Sequence, residues 1–199
     1  MRQTMGLTMM FVLIVAAVFM SVSLLMPRQI ISLFLPQGES FDRAVEYLSV
    51  VAFGYLFTAV DNVYAATLKA AEKTYLPMLS GFASIVTNTV LNYALIFGKL
   101  GCPAMGVRGA ALATVISAAV SMGMNMAFSY GMHLPAGARP SEWLRQEKGF
   151  AGRFSKTVVP VIFNEGLWGV GTTMYSVFYG RMGDAAVAAM GVCTTINDL

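Results

Sequence analysis

At 199 residues, with 13 Lys and Arg against 10 Asp and Glu, the chain has a formal net charge of +3. That charge is small and lies in the connections between apolar blocks, which argues against a nucleic-acid partner. Charged residues make up 12% of the chain, about half the share usual in soluble domains, and the apolar set AVILMFWYC makes up 57%. A soluble fold built on such blocks would have too little polar surface to cover them.

The first uncharged block runs from Met5 to Met26. At 1.5 Å per residue, about 20 helical residues cross the roughly 30 Å hydrocarbon core of a bilayer, so this block predicts a membrane span. Pro27 and Pro36 then flank a moderately apolar stretch, Ile30 to Leu35, followed by a turn at Gln37-Gly38-Glu39-Ser40. Ser40 or Asp42 is placed to cap a second span over 46–68, which is interrupted by Asp61. A tight polar turn, Lys69 to Thr74, leads to a third span over 75–98. The glycine-rich stretch Gly98 to Gly106 is a loop, and a fourth span covers 108–132.

The longest connection follows, from His133 to Lys156. Pro140-Ser141-Glu142 reads as a helix start capped by Ser141. Trp143, Phe150 and Phe154 share one helical face bordered by Arg145, Lys148, Arg153 and Lys156. This predicts an amphipathic helix lying on the membrane surface, with a solvated linker as the other reading. A fifth span over 157–180 contains Glu165, and a sixth begins at 185. The apolar run Ala185 to Ile196 is shorter than a bilayer crossing, so a piece of a longer chain is expected. The predicted fold class is therefore all-α, a polytopic transmembrane helical bundle.

Lys and Arg set the orientation. One side collects Arg2, Lys69, Lys73, Arg139, Arg145, Lys148, Arg153 and Lys156; the other has Arg28, Arg43, Lys99, Arg108 and Arg181. The richer side, with the 133–156 loop, is predicted to be cytoplasmic. Cys102 and Cys193 are too few and too far apart to define a disulfide framework and are read as free thiols. The lone His133 stands at a span end, where an interfacial role outweighs metal ligation. The chain shows no metal-ligand cluster, no nucleophile with a base and no phosphate loop, so an enzyme is not expected and no cofactor is implied. Its 15 methionines are read first as filling irregular cores.

The polar residues inside the spans carry the functional signal. Glu165 lies about 12 Å into its helix. An ionised carboxylate there costs several kcal/mol unless it is paired, hydrated or protonated. Asn164 adjoins it, Trp168, Thr172 and Ser176 continue its face, and Pro160 with Gly166, Gly169 and Gly171 permits bending and close packing. Glu165 is thus expected to respond to ions. Asp61, beside Asn62, either faces a cavity or pairs with a nearby Lys. Ser84, Asn88 and Asn92 form a polar stripe on the third span, and Thr114, Ser117, Ser121 and Asn125 form another on the fourth. Their oxygens suit Na⁺, or they tie helices together through hydrogen bonds, the role that spacing alone favours.

One stretch resembles a known family. Asn88-Thr89-Val90-Leu91-Asn92-Tyr93-Ala94-Leu95-Ile96-Phe97-Gly98, with Gly101-Cys102-Pro103-Ala104-Met105-Gly106-Val107-Arg108-Gly109-Ala110-Ala111-Leu112-Ala113-Thr114, is similar to helices five and six of the multidrug and toxic compound extrusion (MATE) family. Leu68 to Thr74 resembles that family's turn after helix four, where the usual pattern is Arg-Ala-Xaa-Gly-Asp/Asn. Glu72 and Lys73 depart from it. Pro160 to Glu165, Tyr179 to Gly183 and Ala186 to Ala189 resemble helix seven and the entry to helix eight.

The resemblance implies a fragment of a twelve-helix, two-lobe transporter, about helices three to eight. Residues 1–132 would be the rest of the first lobe, 133–156 a cytoplasmic linker, and 157–199 the start of the second. Members are antiporters: Na⁺ or H⁺ enters and an amphipathic, often cationic compound leaves by alternating access. The resemblance makes Glu165 the coupling acid of helix seven. It makes Asn88, Asn92 and Thr114 a polar site in the first lobe, with Asn92 where some members have an acid. The partners implied are the lipid bilayer of the plasma membrane (the cell inner membrane), small amphipathic cations and the parent's remaining helices. Two alternatives are a lipid-linked saccharide flippase of the same superfamily and a non-transporting truncated product. The absence of basic residues from the span interiors counts against the flippase.

Overall fold

The computed structural model describes residues 2–99, 101–132 and 150–197. Among them are eight helices and no strand: α1 (Arg2–Leu25), α2 (Pro27–Phe34), α3 (Glu39–Val51), α4 (Gly54–Ala70), α5 (Tyr75–Phe97), α6 (Val107–Gly131), α7 (Phe150–Met182) and α8 (Asp184–Asn197). The chain is an all-α, multi-pass membrane protein. Thr4–Leu25, Tyr75–Phe97 and Val107–Gly131 are each long and apolar enough to cross a bilayer. A fourth span is added if α3 and α4, bent by 54° at Ala52 and Phe53, count as one.

Two expectations about spans change. The second span is not one straight helix. At the break the ladder shortens to bonds from Phe53 N to Val50 O and Tyr55 N to Ala52 O, and the following Gly54 is buried against Val115. Removal of a side chain at such a crossing lets the helices close up and favours a kink. The fifth expected span, 157–180, lies within the 33 residues of α7. Its length suffices, but Asn164, Glu165, four glycines and several hydroxyl residues leave it outside the set apolar enough to cross by composition.

The local chemistry explains the remaining boundaries. Pro27 starts α2, where its missing N–H costs nothing, so the stretch between the two prolines is helical. Helix α3 begins at Glu39, which puts Ser40 and Asp42 inside the first turn and not at the cap. The surface helix expected before Lys156 is not a separate element over 150–156, because these residues form the first turns of α7. The portion from 133 to 149, with Trp143, lies outside the described residues. Pro160 is accommodated within α7 without interrupting its helical assignment.

The chain divides into two compact units, Met1–Leu25 with Glu46–Lys148, and Met26–Val45 with Gly149–Leu199. In the first, α5 and α6 share the most extensive interface, α6 also packs on α4, and α4 packs on α1. Met5, Met9, Val63 and Tyr64 form the buried cluster between α1 and α4, flanked by Val12, Leu13, Val60 and Met126. These methionines fill a core, whereas Met78 and Met132 are exposed. Arg108 forms an ion pair with Glu46 in this unit. In the second unit α7 contacts both α2 and α8, and Arg28 pairs with Asp42 at 3.8 Å. A side-chain carbon at Gly180 would collide with the Phe34 carbonyl oxygen, so glycine there is what lets α2 seat on α7.

Two turns fix the hairpins around α5. After α4, Lys73 N donates to Leu68 O and Glu72 N to Lys69 O, both at 3.0 Å, which closes the helix with a Schellman motif. The motif requires a left-handed residue, and Glu72 occupies it at φ 62°. After α5, Gly98 takes the left-handed position, and Met105 N returns to Leu95 O at 2.8 Å. Gly109 then lets α6 approach α5 backbone to backbone, since a Cβ there would stand 2.7 Å from Leu95 O.

Glu72→Gly is expected to stabilise the protein by about 1 kcal/mol by relieving the left-handed strain, measured as a raised unfolding midpoint in detergent; a lowered midpoint would refute the strain argument. Gly109→Ala is expected to cost about 1–3 kcal/mol by prising α5 from α6, seen as a lowered midpoint in the same assay.

A candidate polar site between α4, α5 and α6

The two polar stripes read from the sequence face each other. On α6 the side chains of Ser117, Ser121, Asn125 and Ser129 are all buried, one helical turn after another. Residues three and four apart on a helix stack on one face, so an alternation of hydroxyls and a carboxamide becomes a continuous polar line in an apolar bundle. Each of these groups needs a partner, because an unpaired buried polar group costs about 1–3 kcal/mol.

Toward the start of α6 the partners are on α5. Asn92 Nδ2 donates to Asn88 Oδ1 at 2.9 Å, and Asn88 Nδ2 donates to Ser117 Oγ at 3.4 Å. Ser84 Oγ donates to the Ser117 carbonyl at 3.0 Å. Thr114 joins less directly: its hydroxyl donates back to Ala110 O, and its carbonyl accepts from Ser117 Oγ. Of the expected trio, Asn88 and Asn92 are therefore in direct contact, with Ser117 between Asn88 and Thr114. The Asn92 side-chain oxygen is buried with no hydrogen-bond partner. It is a neutral, hard oxygen of the type that binds Na⁺ or accepts a proton donor. No group of three or more His, Cys, Asp or Glu among the described residues is arranged to hold a metal ion.

Toward the other end the partner is a carboxylate. Asp61, on α4, accepts from Ser121 Oγ at 2.8 Å and from Asn125 Nδ2 at 2.7 Å, one bond to each of its oxygens. Asn125 Oδ1 in turn accepts from Ser80 Oγ of α5 at 2.9 Å. Three helices thus meet on one buried carboxamide, which is 1% exposed. Asp61 pairs with neutral donors, not with a lysine. One turn further, Tyr64 OH and Tyr130 OH lie 3.4 Å apart. The sequence reading missed Ser80 and Ser129, although each extends its stripe by one more turn at the same spacing. The two tyrosines have no such signal, since aromatic residues at helix ends are common in any membrane bundle.

Glu165 and Asn164 are elsewhere, in the second unit, and both are exposed on α7. Around them Phe163, Leu167 and Trp168 are also exposed, so the whole middle of the helix is open. Thr172 and Ser176, on the face of Glu165, spend their hydroxyls on backbone carbonyls of their own helix. Cys102 and Cys193 are both free thiols.

Asn125→Leu is expected to cost about 3 kcal/mol or more, because it strips a donor from the Asp61 carboxylate and an acceptor from Ser80. Thermal unfolding in detergent measures it; a loss below about 1 kcal/mol would show that the three-helix junction is not holding the unit together.

Comparison with known proteins agrees with this architecture. The MatE family model matches residues 1–94. The "Probable multidrug resistance protein NorM" of Thermotoga maritima is 34% identical over 134 residues, which is 66% of this chain and 29% of that relative. The proteins of the same name from Bacillus licheniformis and Bacillus subtilis are 39% and 35% identical over 74 residues, 37% of this chain and 16% of each relative. The chain therefore spans less than a third of the length of these relatives. No solved structure matches it. Over part of its length the chain is similar to the MATE family of transporters.

Proposed function

We propose that the chain works in the ion-coupled export of amphipathic, cationic compounds across the plasma membrane, as part of a two-lobe antiporter that alternates between inward and outward access. Na⁺ or H⁺ moves inward and the exported compound moves outward. Glu165 is the ion-responsive group, with Asn164 beside it. Asn88, Asn92 and Thr114 form a polar cluster that takes part in ion binding on the other side of the 133–156 connection, which is cytoplasmic.

The observation that carries this reading is the setting of Glu165. It stands exposed in the middle of α7 and has no ion pair among the described residues. A carboxylate at membrane depth is too costly to leave in hydrocarbon, so an exposed, unpaired one belongs against water, an ion or a polar group. Neutralisation of that charge by a proton or a cation removes the cost of burial. A helix with three glycines and a proline near the acid is suited to shift between two packings as that cost changes. The similarity to the NorM proteins supports the class of exported compound, since their name is that of multidrug resistance.

In the full-length transporter that carries this sequence, Glu165→Gln is expected to abolish ethidium efflux from efflux-deficient cells while membrane abundance stays the same. The measurement is ethidium accumulation, expected to rise to the level of cells without the transporter. Efflux at the parent's rate in the Gln variant would refute the role of Glu165. The 199-residue chain expressed by itself is expected to leave accumulation unchanged.

A further inference from the structure

Asp61 is held between helices of the first unit by neutral side-chain donors, one on each carboxylate oxygen. Its two oxygens are not held alike. Asn125 Nδ2 is a donor only, and its orientation is set because Asn125 Oδ1 accepts from Ser80. Ser121 carries a hydroxyl, which donates or accepts as its partner requires. A proton placed on Asp61 Oδ2 therefore does not break the junction. The carboxylic acid O–H donates to Ser121 Oγ, and the Ser121 hydroxyl turns its own proton to the backbone carbonyl one helical turn back. Thr114 and Ser129 of the same helix already make that kind of bond, to Ala110 O and Asn125 O. Asp61 Oδ1 stays an acceptor for Asn125 throughout. The site accommodates both protonation states with one hydroxyl rotation.

The charged and titratable groups on the helices packed against α4 are few. Among residues with described side chains they are Arg108 and Tyr130 on α6, and Tyr75 and Tyr93 on α5. Arg108 is engaged by Glu46. Tyr130 faces Tyr64, which lies one turn from Asp61 on α4 itself. None of these is bonded to Asp61, whose side-chain partners among the described residues are the neutral Ser121 and Asn125.

We propose that Asp61 is a proton-binding carboxylate, separate from Glu165, whose protonation loosens the hydrogen-bonded tie between α4 and α6 at Ser121 and Asn125. A charge-assisted bond is about twice as strong as a neutral one, so uptake of a proton at Asp61 weakens both bonds without removing either. The tie sits about two turns along α4 from the 54° break between α3 and α4. Loosening it frees the α4 segment that follows the bend relative to α6. The purpose of such a device rests on the proposed ion-coupled transport; the proton site itself does not.

The test uses the protein in lipid nanodiscs, followed by infrared difference spectroscopy as the pH is lowered. Acidification is expected to add a protonated-carboxyl band that Asp61→Asn removes, Ser121→Ala shifts and Glu165→Gln leaves in place. Amide hydrogen exchange over Ser121 to Asn125, corrected for the intrinsic pH dependence, is expected to speed up at least about fivefold on protonation. Asn has the shape and the donor of a protonated Asp, so Asp61→Asn should show the faster exchange at neutral pH and lose the pH response. The proposal is overturned if Asp61→Asn gives the same acid-induced spectrum as the parent, or keeps its pH-dependent exchange. Should Asp61→Asn fail to accumulate, Ser121→Ala decides: an unshifted band overturns the proposal. Efflux that survives Glu165→Gln, with the Asp61 band intact, would defeat the function proposed above and leave this site standing.

Discussion

The buried carboxamide of Asn125 is the point on which the first unit turns. Through it α6 reaches the carboxylate of α4 on one side and the hydroxyl of α5 on the other. In a bilayer, apolar contact gives little preference for one helix partner over another, because lipid tails are as greasy as leucine. Directional bonds must therefore set the register. The polar line on α6 does this over several turns, with α5 bonded from Ser117 to Asn125 and α4 to Ser121 and Asn125. Where the bonds stop, close approach takes over, and Gly109 brings the two backbones together at the loop end.

The two carboxylates of the spans live in different worlds. Asp61 is enclosed by donors from another helix, whereas Glu165 stands open on α7. The first arrangement rewards a fixed geometry that tolerates a proton. The second leaves an acid to whatever covers α7 in the membrane. Both departures from an all-apolar helix are costly, and the roles proposed for the two acids would meet that cost with chemistry that responds to a cation.

Much of this was legible in the residues. Uncharged blocks of span length announced α1, α5 and α6, and the spacing of Asn, Ser and Thr announced a polar stripe on each of α5 and α6. The contact of Asp61 with Ser121 and Asn125 was not legible, because it depends on which face α4 turns to α6, and periodicity gives no rotation angle between helices. The break before Gly54 escaped notice because Ala52 and Phe53 are ordinary helix residues, and the bend comes from packing at Val115. The 157–180 segment looked like a span by length, yet the glycines and polar groups that make it interesting also make it less apolar. Glu72 was visible as a departure from the family's turn, but its left-handed backbone came only with the fold.

The seat of α2 on α7 has a bearing on how the protein is made. Phe34 and Gly180 touch across about 150 residues of intervening sequence. At a synthesis rate of roughly 5–20 residues per second, α2 emerges on the order of ten seconds before its docking surface exists. During that interval the short helix has Asp42 of α3 as a partner for Arg28 but lacks its seat on α7. The second unit is thus assembled late, around a piece delivered early.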